Sequence, residues 1–436
     1  MGYVEKSKSL SIIHVNTADV GGGAERFAIN LHRELEQTCT NSTFYVGYRS
    51  TNAARDSGIR RFAEEPVWHL WPKFLRSMHK NRGAEAFHFP QSHLLKVLNP
   101  SKVDLIHLHN LHGDYFDLRQ LPELTAQIPT VLTLHDEWTF TGHCAYSIEC
   151  DRWKSGCGNC PDLKRYPAVK SDRTAGNWLI KADIFRQSKL HVVTPSNWMA
   201  ERAAQSLLTS AIQSIQVIPN GVDQTVFKPG DKQASRQSIS VPNDAFMLLF
   251  IANHAKTNPF KDFETIRSMF LILARSHPSS HFLLLVIGDE GEEVKIGSSA
   301  MKFIPFQKSA STMAKFYQAA DLYVHAAKAD NFPTVILEAL STGTPVVATD
   351  VGGVSEQVAH LGNVDANFAT GILTNPPHAK NLANAVSYLE ASPKLIDQMG
   401  QNAYRFAQSE FDSSLQLSRY FQLYEDVIRT WQKQPS

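Results

Sequence analysis

The feature that most constrains this chain is an alternation, repeated twice, of short apolar runs with longer amphipathic stretches. The runs are strand-sized, and the stretches between them carry helical spacing. Strand, helix and strand in succession is the pattern of parallel sheets covered by helices on both faces. In the first half, strands are expected at residues 11–16, 105–108, 130–134, 191–195 and 215–218, with a helix over 24–35. The second half restarts at 247–251 and continues through 282–287, 322–325 and 346–348, with helices over 263–275 and 312–319.

A length of 436 residues argues for two or three domains. The boundary is expected after Pro219, Asn220, Gly221, Val222 and Asp223, where residues 228–244 turn polar with Pro, Gly and Ser. Residues 1–224 and 225–410 then form two doubly wound, Rossmann-like α/β domains, and two such sheets facing one another leave a cleft. An amphipathic helix within 411–436 is expected to pack back on the first domain.

Lysine and arginine number 43 against 42 acidic residues, so no global basic field exists to hold nucleic acid by counterion release. No run of 18 apolar residues occurs, so no membrane span is expected. The first ten residues carry Glu5, Lys6 and Lys8 without an apolar run of signal-peptide length, which leads to the expectation of a cytoplasmic protein. Within residues 67–82, Trp68, Trp71, Phe74, Leu75 and Met78 alternate with Lys73, Arg76, Lys80 and Arg82. This is either a core-packed helix with a solvated face or a peripheral contact with the inner face of an anionic membrane.

Cys39 stands alone, whereas Cys144, Cys150, Cys157 and Cys160 crowd into an insert at residues 140–166. Four soft ligands, two of them at knuckle spacing, suit a structural tetrahedral zinc; disulfides and unbridged thiols are the alternatives. A closed four-sulfur site has no open position, so such a metal braces a loop and does not catalyse. His143 is a substitute ligand.

Gly21, Gly22 and Gly23 follow the first strand and open a helix, where backbone N–H groups and the helix dipole favour an anion. They do not form a GxGxxG pattern, and no acidic residue at dinucleotide spacing supports a nicotinamide enzyme. His135 and Asp136 follow the strand at 130–134, on the sheet edge where sites sit; Asp136 or Glu137 serves equally well as a turn cap. His107, His109 and His112 read as structural by default.

The richest segment runs from Ala329 through Thr349, with Asp330 ahead of a helix expected to begin near Pro333, and Glu338 inside it. Eight positions make slightly over two helical turns, so the carboxylates suit one edge of a ligand with the helix N-terminus at phosphate oxygens. The plainer reading makes Asp330 a cap and Glu338 a solvated side chain.

Asp330, Phe332, Pro333, Glu338 and Ala339, followed by Gly343, Pro345, Val346, Val347, Ala348 and Thr349, resemble the E-x7-E signature of the family 4 retaining glycosyltransferases, which have the GT-B fold. Gly21 to Glu25, Thr133 to Asp136, Thr194 to Ser196, Pro219 to Asp223, Gly288, and Thr370 with Gly371 fall in the family's order, so the resemblance covers nearly the whole chain. The cysteine-bearing stretch resembles a subgroup associated with bacterial exopolysaccharide and lipid-linked glycan assembly.

The resemblance implies a nucleotide-diphosphate sugar as co-substrate, a glycan or lipid-linked acceptor, and no catalytic metal. It implies that Glu338 binds the donor ribose and that Asp330, where Glu is typical, touches the transferred sugar. Lys261 in the segment Asn258 to Asp262 matches a diphosphate-binding cation; Phe260 occupies a position often basic, and Lys256 is the expected second charge. His135 matches a histidine beside the donor sugar, Gly22 and Gly23 match the turn that approaches it, and Phe332, Pro333 and Thr334 fall at the donor. The leaving diphosphate then helps to deprotonate the acceptor, without the two-carboxylate arrangement of many hydrolases. Transfer of a hexose-type sugar with retention is the resulting expectation. A nucleotide-sugar epimerase of the same fold and a noncatalytic nucleotide-sugar or glycan-binding protein are the alternatives.

Overall fold

The computed structural model describes residues 10–38, 40–49, 58–62, 77–78, 82–85 and 89–433. The chain forms two compact units: one closes at Ile218 and resumes at Leu417, and the other runs Pro219–Gln416. The boundary thus falls ahead of 224, for a packing reason. The Val222 N–H donates to the Phe411 carbonyl at 2.8 Å, and Asn220 Nδ2 donates to the Phe332 carbonyl at 2.9 Å, so the Pro219 to Val222 turn is bonded into the second unit.

In the first unit, strands β1 (Ser11–Ala18), β2 (Asn41–Tyr48), β3 (Ile59–Arg61), β4 (Leu105–Leu108), β5 (Thr130–Thr133), β6 (Leu190–Thr194) and β7 (Ile212–Val217) form a parallel sheet. Its order is β3-β2-β1-β4-β5-β6-β7. Helices among its described residues include α1 (Gly23–Gln37), α2 (Leu121–Gln127), α3 (Thr174–Arg186) and α4 (Asn197–Ala204). Phe27, Leu31 and Leu35 recur every four residues along α1, which makes one apolar stripe against the sheet. On β1, Ile13 and Val15 enter one core and Ile12 the other, as strand alternation requires.

The second unit contains α5 (Lys232–Ser238), β8 (Phe246–Ile251), α6 (Phe263–Ser276), β9 (Phe282–Ile287), β10 (Val294–Ile296), β11 (Ser299–Ile304), α7 (Ala310–Ala319), β12 (Leu322–His325), α8 (Thr334–Ser341), β13 (Val346–Thr349), β14 (Gly371–Thr374), α9 (Ala379–Glu390) and α10 (Pro393–Glu410). The sheet order is β10-β11-β9-β8-β12-β13-β14, with only the β10–β11 pair antiparallel. All six residues of β9 are buried: Leu283, Leu285 and Ile287 face one core, and Phe282, Leu284 and Val286 the other. A strand buried on both faces reads as an unbroken apolar run, and each such side chain contributes about 1.5–3 kcal/mol of burial.

The last helix, α11 (Ser413–Gln432), leaves the second unit and joins the first from Leu417 onward. Tyr420, Leu423, Tyr424 and Val427, spaced by three and four, pack with Ile12, Val131 and Val193. No helix among the described residues is long and apolar enough to cross a membrane. Most of the basic aromatic segment at 67–82, and Cys39, lie outside the described residues.

In each sheet the unit's first strand sits centrally, and the order reverses beside it: between β1 and β4, and between β8 and β12. Open parallel sheets bind ligands outside the carboxyl ends of their strands at such a reversal.

Candidate active site

In the second unit, the loops leaving β8 and β12 are fastened together at the reversal. Lys261 and Ala327 form an antiparallel bridge, the Lys328 N–H donates to the Phe260 carbonyl at 2.7 Å, and the Asp262 N–H to the Ala326 carbonyl at 3.0 Å. Asn258 Oδ1 accepts from the N–H groups of both Phe260 and Lys261 at 3.0 Å, which sets the turn that presents Lys261. Phe260 therefore contributes its backbone to this turn.

The side chain of Lys261 is ion-paired with Asp330 Oδ2. His325, the last residue of β12, brings Nε2 to 3.3 Å from the same oxygen, and its Nδ1 lies 3.1 Å from the Tyr323 hydroxyl. Burial alone would raise the Asp330 carboxyl, but Lys261 and His325 override it and hold the group at about 2. Burial first, then Lys261, lower His325 to about 4. At neutral pH Asp330 is therefore a carboxylate and His325 a neutral imidazole.

Asp330 does not cap the helix. The N-cap of α8 is Pro333, which has no side-chain cap bond, and Asp330 lies four residues ahead of Thr334, so helical periodicity does not relate it to Glu338. The Asp330 carbonyl instead accepts from the Gly353 N–H at 3.3 Å, and a Cβ at Gly352 would sit 1.8 Å from that oxygen. With φ at +59° as well, only glycine fits there. Glu338 is not solvated either: it is 8% exposed, and Oε2 accepts from the Tyr317 hydroxyl at 2.7 Å. A buried carboxylate on a largely apolar helix is costly without such a partner. Pro333 and Thr334 open α8, where the first N–H groups precede the intrahelical ladder.

Two expected donor residues are placed otherwise. The Phe332 side chain is in the core, 5.8 Å from the Phe411 ring, which leaves only its backbone for a ligand. The Lys256 ammonium donates to the Glu290 carbonyl at 2.5 Å and lies 4.3 Å over the Phe303 ring, so it is committed to the β9–β11 side of the sheet and not to the Lys261 cluster. Tyr317, Tyr323 and His325 were not singled out from sequence. His325 had a legible signal, its position at the carboxyl end of a strand, but Tyr317 on α7 had none.

In the first unit, the carboxyl ends of β1, β4 and β5 bring together the glycine turn and a set of histidines. Gly22 is the N-cap of α1 with φ at −76°; a Cβ there would meet Glu25 Oε2 at 3.4 Å, and one at Gly23 would meet nothing within 4 Å. The fold itself thus does not require glycine at 22 or 23. Half-buried His135 lies 3.3 Å, nitrogen to nitrogen, from His109 and 4.9 Å from the Phe27 ring. Burial lowers it to about 4, so it is neutral at pH 7. Asp136 pairs with His112 at 3.0 Å and also accepts from the Trp138 N–H at 2.9 Å, so it serves as the turn cap as well.

The cysteine insert lies between β5 and α3. Cys144, Cys150, Cys157, Cys160 and His143 line one cavity of about 20 Å³, room for a single ion or water. Cys157 Sγ accepts from the Gly142 N–H at 3.2 Å, and His143 Nε2 lies 3.3 Å from Cys160 Sγ while its Nδ1 bonds the Pro167 carbonyl at 2.9 Å. Burial pushes the Cys144 thiol up to about 12 and that of Cys157 to about 11. The donor set suits zinc, but no three of these ligand atoms lie within 4.8 Å of one another. Among the described residues, the set of three such side chains whose ligand atoms all lie within 4.8 Å of one another is His14, His107 and His109. That trio is not a cation cradle, because His107 spends both nitrogens, at 2.7 Å each, on Tyr424 and Thr133. The insert is anchored by buried charge: Lys181 Nζ donates to the Trp138 and Thr141 carbonyls and lies 3.0 Å from Glu85.

Comparison with known proteins agrees with this division. Residues 21–226 match the family model "Glycosyltransferase Family 4", and residues 231–406 match "Glycosyl transferases group 1". WcaC of Escherichia coli strain K12, named as a candidate colanic acid biosynthesis glycosyl transferase, is 26% identical over 78% of this chain and 83% of its own length. Among solved structures, HepE of Anabaena in complex with UDP-glucose shares the fold with a TM-score of 0.64 at 18% identity, covering 96% of this chain and 100% of that one. A glycosyltransferase from Rickettsia africae superposes with a TM-score of 0.65 at 15% identity, covering 97% and 99%. With both family models in order along a chain of two doubly wound units, this protein belongs to the family 4 glycosyltransferases of GT-B fold.

Proposed function

We propose that the enzyme moves a hexose-type sugar, with retention of configuration, from a nucleoside diphosphate donor to a glycan or lipid-linked acceptor in bacterial polysaccharide assembly. The observation that carries this reading is the Lys261, Asp330 and His325 cluster at the β8/β12 reversal, beside a helix that carries a buried carboxylate. Lys261 supplies the charge for the diphosphate, and the first N–H groups of α8 supply directed donors to its oxygens. Glu338 accepts from the ribose hydroxyls, and Asp330, kept ionised, accepts from a hydroxyl of the transferred sugar. Gly22 and Gly23 leave backbone accessible to the ligand, and neutral His135 serves as a hydrogen-bonding group and not as a cation. The names of WcaC and of the HepE complex support the polysaccharide setting and a UDP-sugar donor.

Thermal unfolding in the presence of UDP-, GDP- and ADP-sugars tests the donor. One nucleotide sugar is expected to stabilise the protein by about 2.7 kcal/mol at a hundred times its Kd. Absence of any response in folded protein rejects the donor site. With the donor known, the anomeric configuration of the first-formed product decides retention, and an altered sugar nucleotide released without acceptor favours the epimerase.

We also propose that Cys144, Cys150, Cys157 and Cys160, with His143 in reserve, hold a structural zinc that braces the insert. The support is their convergence on one ion-sized cavity. Elemental analysis of purified protein is expected to give about one zinc per chain, lost in Cys157→Ser. Metal-free protein with all five thiols, Cys39 included, titratable and with undiminished stability rejects the zinc.

A further inference from the structure

Below the half-buried His135, two buried histidines continue inward as a hydrogen-bonded ladder. His14 Nδ1 lies 3.2 Å from His109 Nε2, and His109 Nδ1 lies 3.3 Å from His135 Nε2. The rings are near-parallel, with centroids 5.5 Å apart at 10° and 5.6 Å apart at 27°. Burial lowers all three below the ordinary histidine range, so each is neutral and carries one N–H.

Neutral rings joined nitrogen to nitrogen have two proton arrangements. In one, every N–H points outward from His14, and His135 carries its proton on Nδ1. In the other, every N–H points inward and the last proton sits on His14 Nε2. That nitrogen is buried without a hydrogen-bond partner. An orphaned buried N–H is rare in folded proteins and forfeits its solvation, so the outward arrangement is favoured.

We propose that His109 is a positioning residue: by donating from Nδ1 to His135 Nε2, it fixes His135 as the Nδ1–H tautomer and sets its ring plane, with His14 orienting His109 in turn. His135 then offers an N–H donor at Nδ1, suited to a hydroxyl or ether oxygen of a sugar. The catalytic consequence rests on the assignment of His135 to the transfer reaction; the ladder itself does not.

The test uses the full chain labelled with 15N-histidine, long-range proton–nitrogen spectra, and His135→Gln to identify the His135 signals. The Nδ1–H pattern is expected for His135 in the unsubstituted protein. His109→Phe keeps an aromatic ring but loses the donor, so the unprotonated Nε2 of His135 should shift downfield to the position of a pyridine-type nitrogen that accepts no hydrogen bond. His109→Asn, whose amide nitrogen falls near the imidazole Nδ1 position, should return that resonance toward its original place. An Nε2–H pattern in the unsubstituted protein overturns the proposal even where a variant fails to fold, and so does an Nε2 resonance that stays in place in His109→Phe. With an acceptor in hand, His109→Phe should lower kcat with donor KM unchanged. A shifted Nε2 resonance with kcat intact upholds the ladder and overturns only the role of His135.

Discussion

Lys261→Ala is expected to lower kcat by about two to three orders of magnitude, the usual effect of removing one preorganised group from the place where charge develops. The ammonium faces Asp330 in the free protein, so the substitution also strands a carboxylate whose side chain is only 14% exposed. That carboxyl is held at about 2 against an ordinary 3.8, a difference worth on the order of 2 kcal/mol of stability. The contribution is fully present above the ordinary value and is lost as pH falls from about 4 toward 2. In Lys261→Ala the contribution should be smaller and its loss should end at a higher pH, because one of the groups that holds the folded-state carboxyl down is gone. Asp330→Asn separates the effects: Lys261→Ala made in that background should cost less stability and still lose turnover. Steady-state kinetics with the identified donor, alongside acid unfolding curves, check both. A kcat within a few-fold of the unsubstituted enzyme removes Lys261 from the reaction.

Glu338→Ala should raise the Kd of the nucleoside diphosphate by about 10- to 100-fold, as expected for hydrogen bonds to a charged acceptor worth about 1.5–3 kcal/mol. Calorimetry with the nucleotide alone reads this without an acceptor. The same substitution leaves the buried Tyr317 hydroxyl without its carboxylate, so stability should also fall by about 1–3 kcal/mol. Tyr317→Phe is the control: it disturbs the stability term while keeping the carboxylate, and should weaken the nucleotide far less than Glu338→Ala does. Unchanged affinity in Glu338→Ala rejects the ribose role, whatever happens to stability.

The contrast between Glu338 and its partner shows how legible the site was. Glu338 could be read from its neighbours in the chain, because Pro333, Ala339 and the Gly343 to Thr349 run stand at characteristic intervals from it. Tyr317 could not, because it arrives from α7, with 21 positions and a strand between them. The same holds for Gly352, whose need appears only when its loop closes on the Asp330 carbonyl. Lys256 shows the opposite failure. Its place in the sequence near Lys261 suggested a shared task, but the Phe303 ring and the Glu290 carbonyl claim its ammonium.

The two-unit architecture was legible for a physical reason. A central parallel strand is buried on both faces, so β8 and β9 must be apolar at successive positions, and no other common element of that length demands this. Strands toward the margins of the sheet escape the rule: β11, second from one edge, carries Lys302, and β14, at the other edge, is four residues with Gly371 at its start, so neither stood out. The sequence by itself therefore determined two doubly wound sheets, because burial is legible in neighbouring residues, and through the family resemblance it marked the glycine turn, His135, Lys261 and both carboxylates as candidates. Only the tertiary structure decided the protonation and pairing of those groups. The Lys261–Asp330 pair, the histidine ladder and the Tyr317–Glu338 bond join residues 21 to 95 positions apart, and their electrostatics depend on a proximity that the fold alone creates.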